Sequence, residues 1–323
     1  METYQLDVLD KKILNYINLN VRASYSQIAK NVRSSKENVN YRINRLIERR
    51  IIKEFITILG LGYWASKILI QFKQMNPEKE KEMINYLSNH NNVTWLTSCS
   101  GNWDLVFVIM AQDPKHFSEI FNKIMEKLGE HIREYKMATS IGSQTYGHTY
   151  ILNSIKESKR IKRNDFKQLN LDSKDKKILT ALLKSARIKF IDIHRKTNIP
   201  IDTIKYRISK MEKDQIIKRY RLILDSSKLG YNRYELFIRS VNLNQELIKR
   251  FEEYAERTPE VEHFGRFTGN WDIEFTIHLK NNDKLREFIL NLKSLFGDHI
   301  QSIESIILFD TIKYTYLPEE IIN

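Results

Sequence analysis

The tetrapeptide GNWD stands at residues 101–104 and again at residues 269–272, 168 residues later. The string LDVLDKKIL at residues 6–14 likewise returns as LDSKDKKIL at residues 171–179. A repeat of this length indicates duplication of whole domains and not a short solenoid repeat. The chain therefore consists of two tandem copies of one unit.

Composition is that of a soluble globular protein. The charged fraction is 29% and the hydrophobic fraction 41%, which argues against wholesale disorder. The single cysteine, Cys99, excludes a disulfide framework within one chain, so we expect a cytoplasmic protein. The N-terminus has no signal-peptide pattern and no stretch is apolar enough for a membrane span. No CxxC, HExxH or phosphate-binding glycine loop occurs, so we expect no metal, no cofactor and no catalytic residues.

The net charge of +13 is distributed unevenly along the chain. Counting Lys and Arg against Asp and Glu gives net charges of +5, 0, +4, +9 and −5 for residues 1–62, 63–152, 153–170, 171–228 and 229–323. Positive charge thus lies at the front of each repeat and in the segment between them. This segregation suggests a module that binds a polyanion, attached to a module with another task.

The front of each repeat, residues 1–62 and 171–228, predicts a winged helix-turn-helix. Apolar residues at helical spacing predict three helices, and the alternating stretches 53–59 and 218–224 predict a wing strand after them. A generic helical bundle is the alternative. The outward face of each third helix favours DNA, because its hydroxyls, amides and cations can bond bases and phosphates in a major groove. The predicted DNA-binding residues there are Ser35, Lys36, Asn38, Asn40, Tyr41, Arg42, Arg45, Thr203, Lys205, Tyr206, Arg207 and Lys210. On the second wing, the predicted phosphate contacts are Lys218, Arg219 and Arg221.

The rear of each repeat, residues 63–152 and 229–323, predicts the order strand, helix, strand, strand, helix, strand. This βαββαβ order implies an antiparallel sheet of ferredoxin type with both helices on one face, so the fold class is α+β. Residues 105–110 are apolar on both faces of their strand, and we interpret the stretch around Ile273, Phe275 and Ile277 in the same way. A second apolar face needs a partner, so we expect self-association of these domains, within or between chains. Residues 153–170 are interpreted as a basic linker.

These features together resemble the Lrp/AsnC family of prokaryotic transcription regulators. The resemblance rests on the two LDxxDKKIL strings, the YRI of each third helix, IIKRYRLILDSSKLGY at residues 216–231 and the two GNWD loops. It covers about the whole chain except the linker. It implies a winged helix-turn-helix joined to a βαββαβ (RAM or AsnC-type) effector and assembly domain. It also implies binding to double-stranded promoter DNA as a dimer or larger assembly, and a small-molecule effector, often an amino acid.

The chain departs from the family pattern in several places. Arg50 and Gln215 replace the glycine that usually precedes the Ile-Ile pair. The offset between the repeats changes from 165 to 168 after that pair, which we interpret as a first wing three residues shorter than the second. Most members carry one unit per chain. The third helices have also diverged, since Ser34-Ser35-Lys36 aligns with Ile-Pro-Ile at residues 199–201, so one chain is expected to read two different half-sites.

The resemblance places the GNWD loops near the family's effector pocket. Gly101, Asp104, Gly269 and Asp272 are therefore candidate effector contacts. The structural alternative is that the glycines permit a tight turn, the tryptophans pack and the aspartates bond nearby amides.

Two other functions stay open. Siroheme decarboxylases are similar to Lrp/AsnC proteins in architecture and use paired units, so an enzyme of that kind is one alternative. The charge distribution argues against it, because positive charge lies in the front parts while the second rear part is acidic. The other alternative is a sensor or interaction protein that has lost DNA binding.

Overall fold

The computed structural model describes residues 3–60, 62–152 and 171–315, so the expected linker lies outside the described residues. The elements of the first repeat are α1 (Val8–Leu19), α2 (Tyr25–Val32), α3 (Lys36–Glu48), β1 (Ile52–Leu59), β2 (Trp64–Phe72), α4 (Pro77–Asn89), β3 (Val93–Ser100), β4 (Leu105–Ala111), α5 (Pro114–Leu128), β5 (Ile132–Thr145) and α6 (Thr149–Leu152). Those of the second are α7 (Ser173–Lys184), α8 (Phe190–Thr197), α9 (Ile201–Lys213), β6 (Ile217–Leu224), β7 (Asn232–Ser240), α10 (Gln245–Arg257), β8 (Val261–Gly269), β9 (Ile273–Leu279), α11 (Asn282–Phe296) and β10 (Ile300–Tyr314).

Side-chain caps fix where the front helices begin. The Asp7 carboxylate accepts a hydrogen bond from the Asp10 amide at 2.8 Å, and the Ser35 hydroxyl accepts one from the Asn38 amide at 3.0 Å. Ser24 forms a capping box at the start of α2. These bonds satisfy amides that the first turn of a helix leaves unpaired. As predicted, α1 and α3 bury one apolar face each, through Ile13, Leu14, Ile17, Val39, Ile43 and Leu46.

Both wings begin after a residue in a backbone conformation that favours glycine, although the glycine is absent. Arg50 and Gln215 both adopt the left-handed region, with φ of 55° and 59°, which costs a side-chain-bearing residue roughly 1–2 kcal/mol. Both wing strands, β1 and β6, are eight residues long. The expectation of a shorter first wing is therefore wrong. A 3₁₀ turn, Ser227–Leu229, follows β6 and lies within the longer connection of the second repeat, outside the paired strands.

The rear parts form two antiparallel sheets that close into one barrel. The strand order is β5-β2-β4-β3 in the first repeat and β10-β7-β9-β8 in the second. Strand β5 pairs with β8, where Ala138 lies opposite Gly269, and β10 pairs with β3, where Ile307 lies opposite Ser100. The two repeats of one chain are therefore each other's partner, a choice that the sequence left open.

No helix in the described ranges is long and apolar enough to cross a membrane.

Each sheet packs its helices on the outside of the barrel. Phe107 of β4 belongs to the core under α4 and α5, and Phe275 of β9 belongs to the core under α10 and α11. The inner face of the first sheet is apolar along β4, as predicted, and Leu69, Trp95 and Val106 belong to a separate core inside the barrel, but β2 also turns the buried Lys67 inward.

Strand β9 of the second sheet has a polar inner face, which corrects the interpretation of that stretch as apolar on both faces. Strand β9 alternates strictly and turns Glu274, Thr276 and His278 inward, all of them buried. The equivalent positions of the first repeat, 106, 108 and 110, are Val, Val and Met. Because buried charges require partners, this difference defines a polar site on one side of the barrel interior.

The two helix-turn-helix heads are fixed to each other. Their wings pair as an antiparallel two-stranded sheet, with Phe55 of β1 opposite Leu222 of β6. Each head also donates hydrogen bonds to the other head through one arginine side chain. The Arg22 guanidinium donates to the Ala186 carbonyl at 2.5 Å, and Arg187 donates to the Ala23 carbonyl at 2.9 Å. The reciprocal contacts give the heads a defined relative orientation.

Candidate nucleic-acid interface and interior cavity

Part of the outward face of each third helix, α3 and α9, is accessible. Tyr41 and Tyr206, at equivalent positions, are 63% and 67% exposed. Lys36 and Lys210 are also exposed. Large aromatic side chains without core contacts and flanked by cations are typical of a surface that binds a partner. Ser35 and Lys205 are exposed as well, so these six side chains form the accessible part of the predicted surface of the third helices.

The arginines of the YRI strings are occupied within their own heads. Arg42 donates to Asp7 at 2.5 Å and to Asp10 at 2.8 Å, and Arg45 donates to the second Asp10 oxygen at 2.8 Å. Asp10 is buried, and the Arg42 guanidinium lowers the pKa of the Asp7 carboxyl. These contacts join the start of α1 to α3. The arginines predicted to bind DNA are thus already paired with aspartates of their own head, which gives them a structural role.

The second head repeats this arrangement. Arg207 donates to Asp172 at 2.7 Å and to Asp175 at 2.8 Å. The LDxxD string and the YRI string therefore recur together because they meet in space. Each head thus contains one cluster of ion-paired aspartate and arginine side chains.

The remaining predicted residues of these helices make local contacts. Asn38 donates to the Ser34 hydroxyl at 3.0 Å, so its amide partly serves the start of α3. Asn40 is half-buried and bonds within its helix. Lys205 pairs with Asp202 at 3.1 Å, and Thr203 is half-buried.

Two of the three predicted wing cations, Arg219 and Arg221, point toward the barrel and not outward, as phosphate contacts would require. Arg221 forms an ion pair with Glu262 of β8, and Arg219 donates to the Thr145 carbonyl at 3.2 Å. Lys218 is half-buried. The two arginines face inward because the paired wings lie against the barrel, and Ile58 and Leu59 of β1 line its interior as well. Strand β6 therefore links the second head to the barrel interior.

The GNWD loops make the contacts of the structural alternative. Asp104 accepts a hydrogen bond from the Phe72 amide at 2.7 Å, and Asp272 accepts one from the Ser240 amide at 2.8 Å. Gly101 and Gly269 have φ of 129° and 139°, which glycine tolerates. Both loops lie where one repeat's sheet joins the other's. Their geometry serves the junction of the two sheets.

A cavity of about 320 Å³ lies inside the barrel, beside the polar face of β9. The Lys67 ammonium there is shared by two buried carboxylates, Glu235 at 2.9 Å and Glu274 at 2.6 Å. Burial alone would lower the pKa of Lys67, but these carboxylates raise it. Burial also raises the pKa of Glu274 to about 7. This group, the lysine cluster, has one cation and two carboxyls and therefore favours one additional positive charge.

A second cluster of opposite balance lines the same cavity. Two guanidinium groups, those of Arg221 and Arg233, lie beside one carboxylate, Glu262. Burial would raise the pKa of Glu262, but Arg221 and His278 hold it well below its ordinary value. This arginine cluster favours one additional negative charge. The ring of Trp95 lies between the clusters, 4.9 Å from the Lys67 ammonium and 5.6 Å from the Arg233 guanidinium carbon.

Polar atoms of both clusters are left without partners. One carboxylate oxygen of Glu235, one of Glu274 and the Nε of Arg233 are buried and make no hydrogen bond to any described residue. Burying polar atoms without a partner costs about 1–3 kcal/mol each. Unpaired acceptors and donors beside a cavity are free to bond water or a bound molecule there.

The cavity is connected to the wing through a histidine network. His148 donates from Nε2 to the Leu222 carbonyl of β6 at 2.9 Å. Burial lowers the pKa of His148 to about 4, so the ring is neutral near pH 7. Beside it, the Tyr150 ring stacks on His278 with centroids 4.2 Å apart. A second cavity, of about 460 Å³, adjoins the first and shares Arg221 and Glu262 with it. Across the described ranges, no group of three or more His, Cys, Asp or Glu could hold a metal ion.

Of the cavity residues, only Arg221 was predicted from the sequence as a site residue, and for another role. The signal was present in the repeat itself. Aligned at the offset of 168, uncharged residues of the first repeat are replaced by charged ones at Arg233, Glu262 and Glu274, whose counterparts are Ala65, Thr94 and Val106.

Comparisons with known proteins agree with this architecture. Residues 6–53 and 171–218 each match the winged helix-turn-helix DNA-binding family, and residues 236–318 match the Lrp/AsnC ligand binding domain. An uncharacterized HTH-type transcriptional regulator of Pyrococcus horikoshii is 30% identical over 150 residues, which are 46% of this chain and 93% of that protein. The regulatory protein AsnC of Haemophilus influenzae is 31% identical over 141 residues, 43% of this chain and 91% of that protein. The chain belongs to the Lrp/AsnC family of transcription regulators. It carries the helix-turn-helix twice, whereas each of these relatives matches about half of it.

A solved structure shares the two-unit arrangement. The siroheme decarboxylase NirDL has a TM-score of 0.65 and 13% identity, with 97% of this chain and 94% of that chain covered. Its complex with an iron-uroporphyrin III analogue has a TM-score of 0.63 and 14% identity, with 96% and 94% covered. At this identity the likeness shows the fold alone.

Proposed function

We propose that this protein is a DNA-binding regulator in which two unlike heads, held in one orientation, read an asymmetric site, and in which the barrel cavity holds a zwitterionic effector. The observation that carries the first part is the pairing of β1 with β6 inside one chain. A symmetric dimer presents two identical reading helices and reads a palindrome. This chain presents two different ones in a fixed relation, so the two halves of its DNA site should differ.

The effector class follows from the charges on the cavity wall. The lysine cluster, with orphaned oxygens on Glu235 and Glu274, suits an ammonium group. The arginine cluster, with the orphaned Nε of Arg233, suits a carboxylate. A cavity of about 320 Å³ suits a small molecule of amino-acid size. An α-amino acid carries both groups at short separation and is the class of ligand that we propose.

The wing gives the effector a route to the DNA-binding heads. Arg221 lines the cavity but belongs to β6, the strand that joins the two heads. A carboxylate bound near Arg221 would compete with Glu262 for its guanidinium. The position of the wing, and with it the relation of the heads, would then depend on the ligand.

The DNA-binding part is tested by the salt dependence of affinity for the DNA upstream of the protein's own gene. Lys36→Ala with Lys210→Ala removes two exposed cations of the third helices, and should lower the slope of log affinity against log salt by about 2. Lys81→Ala with Lys115→Ala removes two exposed cations of the rear domains and is the matched control. Equal slopes in all three proteins would refute the assignment of these helices to DNA.

The effector part is tested by calorimetric titration with a panel of free amino acids. Amines and carboxylic acids that lack one of the two charges serve as comparison ligands. We expect binding only by zwitterions, weakened at least tenfold in Glu274→Gln and in Arg233→Gln but not in the surface control Glu119→Gln. Amines that bind as tightly as amino acids, or binding unchanged in both cavity variants, would contradict the proposed site.

The whole-chain likeness to NirDL makes tetrapyrrole binding the second candidate. The arginine cluster suits one carboxylate, but Glu235 and Glu274 of the lysine cluster would repel the further carboxylates of such a ligand. Absorbance titration with siroheme, run beside the DNA measurement, separates the two candidates. A stoichiometric change in the spectrum together with absent DNA binding would favour the enzyme.

A further inference from the structure

Two ion pairs join residues that hold the same position in the two repeats. Lys136 of β5 and Glu304 of β10 are 168 residues apart, which is the repeat offset, and their side chains meet at 2.8 Å. Lys67 of β2 and Glu235 of β7 are also 168 residues apart and meet at 2.9 Å. In both pairs the first repeat supplies the lysine and the second repeat supplies the glutamate.

Residues at equivalent positions meet only near the symmetry axis that relates the two units. In a pair of identical units, a residue on that axis faces its own copy. Two copies of the first repeat would therefore bring Lys67 against Lys67 and Lys136 against Lys136. Two copies of the second would bring Glu235 against Glu235 and Glu304 against Glu304. Only the unlike pairing places opposite charges together.

The residues that contact Glu304 in one repeat and those near Lys136 in the other also differ. The Trp103 indole donates to Glu304 at 2.7 Å, and Asn102 donates to the same oxygen at 3.2 Å. Trp271 is the counterpart of Trp103, and its indole nitrogen has no hydrogen-bond partner among the described residues. The counterpart of Glu304 is Lys136, which offers no acceptor. The acceptor therefore belongs to one unit only.

We propose that these axial pairs form a pairing code, by which the rear surface of each repeat accepts the opposite repeat and rejects a second copy of itself. The partner that fits each sheet is the unlike repeat, supplied in the native protein by the same chain. Buried like charges in the wrong pairing are a repulsive element of the kind that gives specificity. Lys67 and Glu235 are both buried. In a wrong pairing, two lysines or two glutamates would meet at this position, and water would screen their repulsion only weakly.

The experiment uses full-length chains whose axial residues carry one sign. An all-lysine chain has Glu235→Lys with Glu304→Lys, and an all-glutamate chain has Lys67→Glu with Lys136→Glu. The unaltered chain should have the mass of one chain, 38.6 kDa, by light scattering. Each altered chain alone should unfold at least several degrees lower. Mixed together, they should form a particle of two chains, in which each lysine-bearing repeat pairs with a glutamate-bearing one, with the unfolding temperature largely recovered.

An all-lysine chain that stays a single-chain particle with the unfolding temperature of the unaltered protein would overturn the proposal. So would mixed chains that form no two-chain particle while both are folded. Should the altered chains not fold, Lys136→Glu with Glu304→Lys decides the matter, since it restores opposite charges and the Trp271 side then gains an acceptor. Recovery relative to either single reversal supports the code, and a loss equal to the sum of the two reversals overturns it.

Discussion

The guanidinium of Arg42 lies 2.8 Å from the carboxylate of Asp10, and Arg207 makes the same contact with Asp175 at 2.8 Å. Both arginines belong to the face predicted to bind DNA. Their partners lie in the first turn of the first helix of each head. Two sequence strings that return in the repeat thus form one contact, which joins the first helix of each head to the third.

Replacing Arg42 with alanine should therefore affect stability as well as DNA binding. Asp10 is 1% exposed and would lose a charged donor, so we expect Arg42→Ala to lower the free energy of unfolding by about 1–3 kcal/mol. Urea unfolding measures this. Lys12→Ala, an exposed change on the same first helix, should stay within about 0.5 kcal/mol of the unaltered protein. Loss of DNA affinity at unchanged stability would mean that Arg42 acts on DNA alone.

The twin glycines of the GNWD loops should respond differently to alanine. A Cβ at Gly269 would lie 2.4 Å from the Met137 carbonyl oxygen, whereas a Cβ at Gly101 would have its nearest neighbour at 3.5 Å. Both positions have a positive φ, so both variants incur backbone strain of about 1–3 kcal/mol. Gly269→Ala should be the more destabilising by at least about 1 kcal/mol, because it also overfills the junction with β5. Thermal unfolding of the two variants compares them directly, and equal losses would argue against close packing there.

The lysine cluster should give stability a particular dependence on pH. Burial raises the pKa of Glu274 from its ordinary value of 4.5 to about 7, so the folded protein holds a proton that the unfolded chain releases. Stability contributed by this carboxyl should therefore fall as pH rises from about 4.5 to about 7, by at most about 1.4 kcal/mol per pH unit. The measurement is the difference in unfolding free energy between the unaltered protein and Glu274→Gln across that range. The unfolding free energy of the unaltered protein minus that of Glu274→Gln should fall as pH rises, and a rise would contradict the raised pKa of Glu274.

The arginine exchange between the heads should matter for paired half-sites only. Arg22 donates to the Ala186 and Ile188 carbonyls of the other head, at 2.5 Å and 3.2 Å. Arg22→Ala should loosen the orientation of the heads and weaken binding to a complete site about tenfold, because binding would then have to order them. Affinity for an isolated half-site should be unchanged, and the exposed Arg33→Ala should be neutral. Equal weakening on both DNAs would point to a local effect of Arg22 instead.

Local patterns in the sequence were enough to predict the architecture. Helical spacing, caps such as Ser24 and the βαββαβ order depend on neighbouring residues, and the duplication made each pattern visible twice. What lay between the repeats was harder to predict. The polar inner face of β9 was interpreted by analogy with β4, although Glu274 replaces Val106. The inward turn of Arg221 could not be predicted, because it depends on how the wings pair across the two repeats.

The proposed function requires one chain to read an asymmetric DNA site with two unlike heads. Selection from random DNA, with the mass of each recovered complex measured by light scattering, tests this requirement. We expect sites with two different half-sites at constant spacing, each occupied by one chain of 38.6 kDa. Recovery of perfect palindromes by single chains, or of one half-site repeated, would contradict it.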